Sequence, residues 1–258
     1  MATDPSFIVA IPARYGSTRL PGKPLRLIAG VPMIVHVVAR ARQAGAGEVV
    51  VATDDARIGA ALEGSGAHVV MTRADHASGS DRLAEVATGL GWADDAIVVN
   101  LQGDEPLAPV SGMRALVQAL VEGGTPMATL ATPIGAVEEL FDPNCVKLVR
   151  DVHGRALYFS RAPVPWPRDA FARERHALPP DTPFLRHIGL YAYRAGFLRR
   201  FAALAPTPLE RAESLEQLRA LEHGHAIAVA LAPEPFPAGV DTPADLARIE
   251  RILAGSSR

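Results

Sequence analysis

The chain has 258 residues, of which 48% are hydrophobic and 21% are charged, and its formal net charge at pH 7 is -2. This length and hydrophobic content suffice for one α/β domain with a large core, and the near-neutral charge argues against a nucleic-acid-binding protein. No apolar run approaches the roughly 18 residues of a membrane span, and the N-terminus does not resemble a signal peptide, so we expect a cytoplasmic protein that does not associate with membranes.

The first predicted strand, Ile8–Ile11, is a short apolar run, and a long loop rich in cations follows it. The loop carries Arg14, Arg19 and Lys23 together with small hydroxyl residues, and its prolines prevent it from becoming a helix. Guanidinium groups, an ammonium and backbone N–H groups can together neutralise the oxygens of a polyphosphate. Residue types alone leave a basic surface turn as the alternative.

Two better-known phosphate loops do not fit this segment. A P-loop has four residues between its glycines and a hydroxyl residue after its lysine, whereas five residues separate Gly16 from Gly22 and Pro24 follows Lys23. The G-x-G-x-x-G fingerprint of dinucleotide-binding proteins is missing from the chain, so a nicotinamide-dependent dehydrogenase loses its main support.

Strands and helices alternate through the first half of the chain, which predicts a parallel sheet with crossover helices. Ligands of such sheets bind outside the carboxyl ends of the strands. Asp54 follows a predicted strand, and we interpret it as a helix cap rather than a site residue. The predicted elements are helix Pro32–Ala44, strand Glu48–Thr53, helix Ala56–Glu63, strand His68–Thr72, helix Asp81–Thr88, strand Ala96–Gln102 and helix Ser111–Val121.

Asp104 lies on the turn that leaves Ala96–Gln102, the most strand-like segment of the chain. A carboxylate at that place suits Mg²⁺, which prefers carboxylate and phosphate oxygens. The alternative is an ordinary turn residue. Glu105 is a weaker candidate that could instead support the loop.

The second half continues with further strands and helices. In strand Ile188–Tyr193, Tyr191 and Tyr193 should share one face.

The proline-rich segment Arg161–Arg168 is predicted to be an arm whose Trp166 packs either on a second subunit or on its own. The only cysteine, Cys145, excludes an internal disulfide and is interpreted as a buried thiol. Other predictions are strands Met127–Thr132, Cys145–Val149, Ala156–Phe159 and Ala226–Ala230, helices Ala195–Leu204, Leu209–Glu222 and Pro243–Ala254, and a mobile loop at Ala172–Asp181.

Seven segments, taken in order, resemble nucleotide-sugar cytidylyltransferases, and most closely those that act on 3-deoxy-manno-octulosonate (Kdo). The resemblance covers nearly the whole chain and implies a three-layer, Rossmann-like α/β fold with a mostly parallel sheet and a small dimerisation and sugar-binding subdomain. Residues 1–258 would form one catalytic domain, with a nucleotide-binding half (1–125), a sugar-binding and dimerisation half (126–235) and a returning metal motif with the C-terminal helix (236–258). The segments are Ile8–Pro24, Thr72–Val86, Asn100–Pro106, Leu157–Arg168, Phe184–Arg194, Leu215–Arg219 and Gly239–Leu246.

The resemblance also implies a reaction and its residues. CMP would pass from CTP to Kdo with release of pyrophosphate, Mg²⁺ would be the cofactor, the protein would be a homodimer, and the product would serve lipopolysaccharide synthesis. The implied roles are catalysis by Arg19, Lys23 and Asp104, nucleotide binding by Arg14, Ser17, Lys23, Arg73, Ser78 and Gln102, sugar binding by Arg161, His187, Tyr191, Glu216 and Gln217, and metal binding by Asp104 and Asp241.

Two other functions stay open at this point. A cytidylyltransferase for another acidic sugar, such as 8-amino-Kdo or a sialic acid, would share the first loop and differ in the sugar pocket. A nucleotide-binding protein without catalysis would explain the loop but not the two separated aspartate motifs.

Overall fold

A nine-stranded mixed sheet forms the centre of the computed structural model, which describes residues 5–17 and 20–255. Its strands are β1 (Ile8–Ala13), β4 (Glu48–Thr53), β5 (His68–Met71), β6 (Ile97–Asn100), β7 (Met127–Pro133), β8 (Lys147–Arg150), β9 (Ala156–Ser160), β10 (Leu185–Arg194) and β11 (Ile227–Leu231), and a separate small hairpin consists of β2 (Leu27–Ile28) and β3 (Val31–Pro32). The helices are α1 (Met33–Gln43), α2 (Ala56–Ala61), α3 (Gly79–Gly89), α4 (Val110–Gly123), α5 (Val137–Phe141), α6 (Arg168–Phe171), α7 (Ala195–Ala203), α8 (Pro208–Glu213), α9 (Gln217–Glu222) and α10 (Pro243–Gly255).

The order of the main strands is β11-β7-β10-β6-β1-β4-β5. β1 pairs in parallel with β4 and β6, β4 pairs in parallel with β5, and β11 pairs in parallel with β7. Only β10 interrupts this direction in the main order, because it runs antiparallel between β6 and β7. The β8–β9 hairpin joins one end of β10. The predicted parallel arrangement of the first half is therefore confirmed.

Two hydrophobic cores cover the two faces of the sheet, because successive strand residues point to opposite sides. Val9 and Ile11 of β1 pack in the core that includes α1, α2 and α4, whereas Ala10 packs in the core that includes α3, α7 and α9. β10 divides in the same way, with Leu190 and Ala192 on one face and Tyr191 and Tyr193 on the other, as the sequence predicts. The protein thus has the three layers that the resemblance implies.

Parallel pairing brings the carboxyl ends of β1, β4, β5 and β6 to one edge of the sheet. The loops that follow these strands start at Arg14, Asp54, Thr72 and Leu101, so the polar motifs of the first half meet there. This edge is where an open α/β sheet binds its ligands.

One predicted helix is wrong. The segment Leu209–Glu222 forms α8 and α9, and the break lies at Ser214, which adopts a left-handed conformation with φ 51°. The carboxylate of Glu213 accepts hydrogen bonds from Ser160 Oγ (2.6 Å) and from the Arg161 amide (2.9 Å), so tertiary contacts hold the chain at this point and override its helical propensity.

Two further predictions need correction. Asp54 is not a helix cap, because Asp55 caps α2 by accepting a hydrogen bond from the Arg57 amide at 2.9 Å. Cys145 lies in a turn before β8, where it is half-buried, and burial raises the pKa of its thiol.

The proline-rich arm packs at least partly on its own subunit. The Trp166 ring contacts the Phe171 ring edge-on, with 5.0 Å between centroids, and the Arg175 guanidinium lies 5.1 Å from the Trp166 ring. The Trp166 side chain nevertheless stays exposed. Ala172–Asp181 has no regular secondary structure, as predicted, and its mobility stays a prediction. Among the described residues, no helix has the length and apolar character that crossing a membrane requires.

Candidate active site

A cavity of about 480 Å³ opens at the edge of the sheet where the parallel strands end. It is lined by residues from the first loop, from the segment that opens α3, from the turn after β6 and from the segment before α10. The lining residues are Pro12, Ala13, Arg14, Gly16, Ser17, Lys23, Pro24, His76, Ala77, Ser78, Gly79, Arg82, Gln102, Gly103, Asp104 and Asp241.

The first loop supplies one wall of this cavity. Arg14 and Ser17, two of the predicted nucleotide-binding residues, lie on it, and Lys23 returns to it at the far end of the loop. The predicted catalytic residue Arg19 lies outside the described residues. The loop is therefore placed as the sequence predicts, with cations at both of its ends.

Lys23 joins the two predicted metal ligands. Its Nζ donates a hydrogen bond to Asp104 Oδ2 and another to Asp241 Oδ1, the latter at 3.0 Å. Burial lowers the pKa of Lys23, but Asp104 and Asp241 together outweigh that effect and raise it. The Lys23 amine therefore stays protonated and reduces the repulsion between the two carboxylates.

Backbone contacts also hold the two aspartate segments together. The Val240 amide donates to Asp104 O at 2.9 Å. A Cβ atom on the neighbouring Gly239 would lie 3.1 Å from that same oxygen, so a side chain at this position would push the segments apart. These contacts between the two segments hold together two carboxylates that are distant in the chain.

This pair of carboxylates fits a hard cation that completes its coordination with ligand oxygens. Two aspartates already surround one positive charge, the Lys23 ammonium, in the protein alone. Within residues 5–17 and 20–255, no group of three or more His, Cys, Asp or Glu side chains could hold a metal ion. Mg²⁺ commonly binds through one or two carboxylates plus phosphate oxygens and water, and this site offers that donor set.

The N-terminus of α3 forms the opposite wall. Ser78 caps the helix, because its hydroxyl accepts a hydrogen bond from the Asp81 amide at 3.1 Å and the Asp81 carboxylate bonds back to the Ser78 amide. Gly79 approaches β1 so closely that a Cβ atom there would lie 3.1 Å from Pro12 Cγ. Gln102 also faces the cavity and donates to Asn100 Oδ1 at 3.3 Å. A helix N-terminus at this place favours a negatively charged ligand.

Arg73 lies apart from these residues. Its exposed side chain pairs with Asp75 at 2.9 Å and does not line the cavity. Its predicted contact with the nucleotide stays a prediction.

The predicted sugar-binding residues Glu216 and Gln217 lie at the start of α9, and each has a buried polar atom without a hydrogen-bond partner. Ser80 of α3 donates a hydrogen bond to Glu216 Oε2 at 3.1 Å, which links this pair to the helix that lines the cavity. Glu216 Oε1 and Gln217 Nε2 are both buried without a hydrogen-bond partner. Buried polar atoms normally have partners, so two adjacent exceptions indicate a place for hydroxyl groups of a ligand.

His187 and Tyr191, also predicted to bind sugar, lie side by side on β10 with 5.5 Å between ring centroids. Burial lowers the pKa of His187 to about 3, and burial raises the pKa of Tyr191 well above its ordinary value. Both side chains are therefore neutral at physiological pH. His187 could offer hydrogen bonds but no positive charge to a sugar carboxylate.

Arg161 is held by backbone carbonyl groups. Its Nε donates to Glu213 O at 2.6 Å and its Nη1 donates to Pro143 O at 2.9 Å. The first bond holds the residue after β9 against the turn between α8 and α9, and the second holds it against the turn before β8. The predicted contact of Arg161 with sugar stays a prediction.

The model of the cytidylyltransferases matches residues 8–227. The chain belongs to the cytidylyltransferase family.

Individual members of this family are similar to it over nearly their whole length. A 3-deoxy-manno-octulosonate cytidylyltransferase from Stenotrophomonas maltophilia (strain K279a) is 64% identical over 96% of this chain and 96% of its own. One from Xanthomonas campestris pv. campestris (strain B100) is 62% identical over 97% of this chain and 90% of its own. A solved structure of CMP:2-keto-3-deoxy-manno-octonic acid synthetase complexed with CTP superimposes with a TM-score of 0.88, at 43% identity, and covers 98% of this chain and 100% of its own.

Two charged or titratable side chains of this cytidylyltransferase, Arg82 and His76, line the cavity without having been predicted as site residues from the sequence. Arg82 is buried and donates to Asp54 Oδ2 at 3.0 Å and to Thr72 Oγ1. His76 is hydrogen-bonded to Glu85. The position of His76 in a loop after a strand could have indicated it, whereas nothing in the sequence distinguishes Arg82 from a solvated helical arginine.

Glu216→Gln should stabilise the protein at neutral and alkaline pH while weakening sugar binding. Burial raises the pKa of Glu216 more than its hydrogen bonds with serines 78 and 80 and the nearby charge of Arg219 lower it, so the folded protein is destabilised when this carboxylate ionises. The wild type should therefore lose stability as pH rises from the ordinary glutamate pKa through the raised one, and the Gln variant should not.

Thermal unfolding at several pH values measures this effect. The melting temperature of the variant should exceed that of the wild type above this pH interval, and the two should converge below it. The Michaelis constant for the sugar should rise about 10-fold, because the charge-assisted hydrogen bond that the resemblance implies for Glu216 would be lost. An unchanged melting temperature at every pH would contradict the assigned cost of ionisation.

Proposed function

We propose that this cytidylyltransferase transfers CMP from CTP to 3-deoxy-manno-octulosonate and releases pyrophosphate. The observation that carries the proposal is the convergence of Lys23, Asp104 and Asp241 in a cavity whose other walls are a cationic loop and a helix N-terminus. The names of relatives at 62 to 64% identity support the choice of sugar.

In the reaction, the anomeric hydroxyl oxygen of the sugar attacks the α-phosphorus of CTP, and the bond from that phosphorus to the pyrophosphate oxygen breaks. The hydroxyl proton is lost as the new ester forms. Catalysis of such a step depends on positioning and on neutralising charge. Arg14 and Lys23 would bind the triphosphate and stabilise the leaving pyrophosphate, and Arg19 would join them.

Asp104 and Asp241 would hold the metal cofactor. Mg²⁺ bound there would neutralise phosphate charge and lower the pKa of the attacking hydroxyl. Lys23 occupies the cation position between these carboxylates in the protein alone, and it would turn to the phosphate groups when the nucleotide enters.

Glu216 and Gln217 would bind the hydroxyl groups of the sugar. Ser80 of α3 donates to Oε2 of the Glu216 carboxylate, whose other oxygen has no hydrogen-bond partner, so the acceptor would reach the nucleotide across the first turn of α3. His187 and Tyr191 would contribute neutral hydrogen-bonding groups. The product would be an activated sugar for lipopolysaccharide synthesis, and the use of CTP supports a cytoplasmic location.

We further propose a homodimer. Several large apolar side chains of the second half are exposed, among them Val152, Leu157 and Trp166. Apolar side chains of this size are commonly buried in subunit interfaces. Light scattering of the purified protein should give about twice the monomer mass of 27.3 kDa. A mass equal to one chain at micromolar concentration would contradict the dimer.

Release of pyrophosphate from CTP and Mg²⁺ tests the proposed reaction. The assay is run without a sugar, with 3-deoxy-manno-octulosonate, with its 8-amino analogue and with a sialic acid. Release that depends on 3-deoxy-manno-octulosonate supports the proposal. Release with another acidic sugar alone would retain the reaction but change the acceptor, and binding of CTP without release for any sugar would indicate a non-catalytic nucleotide-binding protein.

A further inference from the structure

Tyr15 is the second residue of the first loop, directly after Arg14, and its side chain reaches the other end of the loop. Its backbone amide donates a hydrogen bond to Asp54 Oδ1 at 3.2 Å. Its neighbours Arg14 and Gly16 both line the cavity, whereas Tyr15 itself does not. A bond at this amide therefore fixes the direction in which the start of the loop leaves β1.

The Asp54 carboxylate that accepts this bond is itself held firmly. Its other oxygen accepts from Arg82 Nη2 at 3.0 Å, and the two side chains are 15% and 4% exposed. Arg82 also donates to Thr72 Oγ1, and that hydroxyl donates to Thr53 O at 3.1 Å. The Asp54 carboxylate, which accepts from the Tyr15 amide, is thus held in place by contacts that involve the ends of β4 and β5 and the helix α3.

The side chain of Tyr15 contacts the other end of the loop. A Cβ atom on Gly22 would lie 3.1 Å from the Tyr15 hydroxyl oxygen and 3.2 Å from two ring carbons, so the ring packs directly against the Gly22 backbone. Gly22 has a positive φ of 65° and directly precedes Lys23. The ring therefore packs on the residue that sets the direction of the Lys23 side chain.

The Tyr15 ring also contacts Arg57. The Arg57 guanidinium lies 3.7 Å from the centroid of the Tyr15 ring, within cation–π distance. Arg57 is oriented by Asp55, to which it donates two hydrogen bonds at 2.9 and 2.6 Å. Consecutive residues, Asp54 and Asp55, thus fix the backbone and the ring of Tyr15 respectively.

From this geometry we infer that Tyr15 is a positioning residue for triphosphate binding: it fixes the distance and direction between Arg14 at one end of the first loop and Lys23 at the other. The inference rests on the proposed function, because it takes the triphosphate of CTP as the ligand of these cations. Phosphate binding by several cations depends on their relative placement, so a loop without this support should bind the β- and γ-phosphates less well.

Tyr15→Ala tests the inference, with Tyr15→Phe as the matched control. Both variants keep the backbone amide, and only the alanine variant loses the ring. Binding is measured by calorimetry with CTP and with CMP, which lacks the β- and γ-phosphates, in the presence of Mg²⁺. The alanine variant should bind CTP about 10-fold more weakly and CMP with less than about a 2-fold change, whereas the phenylalanine variant should match the wild type.

A double-mutant cycle with Lys23→Gln separates positioning from a general loss of structure. If Tyr15 acts through Lys23, the effect of Tyr15→Ala on CTP binding should shrink in the Lys23→Gln background. Equal losses of CTP and CMP binding, additive effects in the cycle, or an alanine variant that binds CTP as the wild type does would each overturn the inference. Wild-type protein that fails to bind CTP would instead overturn the proposed function, on which the inference depends.

Discussion

Asp104→Asn should lower the turnover number by roughly 100-fold or more at saturating CTP and sugar, while the protein still folds. The Asp104 carboxylate is one of two that meet at the Lys23 ammonium, and it is the predicted metal ligand on the turn after β6. An amide has nearly the same size but no negative charge, so it would hold a hard cation weakly and would leave the phosphate charge unneutralised.

The fold should survive this change because the backbone supports the turn. Asp104 O accepts the Val240 amide at 2.9 Å, and this bond does not involve the side chain. Asp241→Asn should give a loss in the same direction, and Asp169→Asn, an exposed aspartate outside the cavity, is the matched control. Steady-state kinetics over a range of Mg²⁺ concentrations measure the effect. Wild-type turnover by Asp104→Asn at saturating Mg²⁺ would remove Asp104 from the metal site.

The sheet and the location of the site could be predicted from the sequence because they depend on local patterns. Short apolar strands alternating with helices imply parallel pairing, and parallel pairing brings the strand ends together. Arg14, Lys23 and Asp104 all follow such strands and all line one cavity. The pairing of Asp104 with Asp241 depends instead on the long return of the chain to α10, and only the resemblance to a family indicated it.

Other features could not be predicted because they depend on contacts between distant segments. Asp54 and Asp55 are equally good cap residues by type, and only the position of Arg82 and of the Tyr15 amide decides that Asp54 turns towards the loop. The segment around Ser214 has good helical propensity, but Glu213 is bound by Ser160 and Arg161, and the helix breaks there.

The protonation states of buried side chains could not be predicted from the sequence either. A histidine in a predicted sugar pocket suggests a partner for a carboxylate, yet burial lowers the pKa of His187 to about 3. The pKa of Lys23 changes in the other direction, because burial lowers it less than Asp104 and Asp241 raise it. The two residues differ in their neighbours. Lys23 has two carboxylates beside it, whereas the His187 ring has aromatic rings beside it, with centroid distances of 5.1 Å to Phe159 and 5.5 Å to Tyr191.

Lys23→Gln should lower kcat/KM for CTP by roughly 100-fold, the second large effect that we expect. Lys23 is the described cation that lies nearest to both aspartates, and glutamine keeps much of its length without its charge. The loss should appear in the Michaelis constant for CTP and as weaker product inhibition by pyrophosphate, because the lysine would bind the triphosphate. Asp104→Asn should instead act mainly on turnover.

Lys23→Arg is the conservative comparison for this experiment. It keeps the positive charge but replaces a compact ammonium by a planar guanidinium, so we expect only partial recovery of the CTP kinetics. In the protein alone the neighbouring carboxylates raise the pKa of Lys23 above its ordinary value, so binding of CTP without Mg²⁺ should not weaken through loss of the Lys23 charge until well into the alkaline range. Unchanged CTP kinetics in Lys23→Gln would contradict its role in triphosphate binding and would leave Lys23 as only the counter-ion of Asp104 and Asp241.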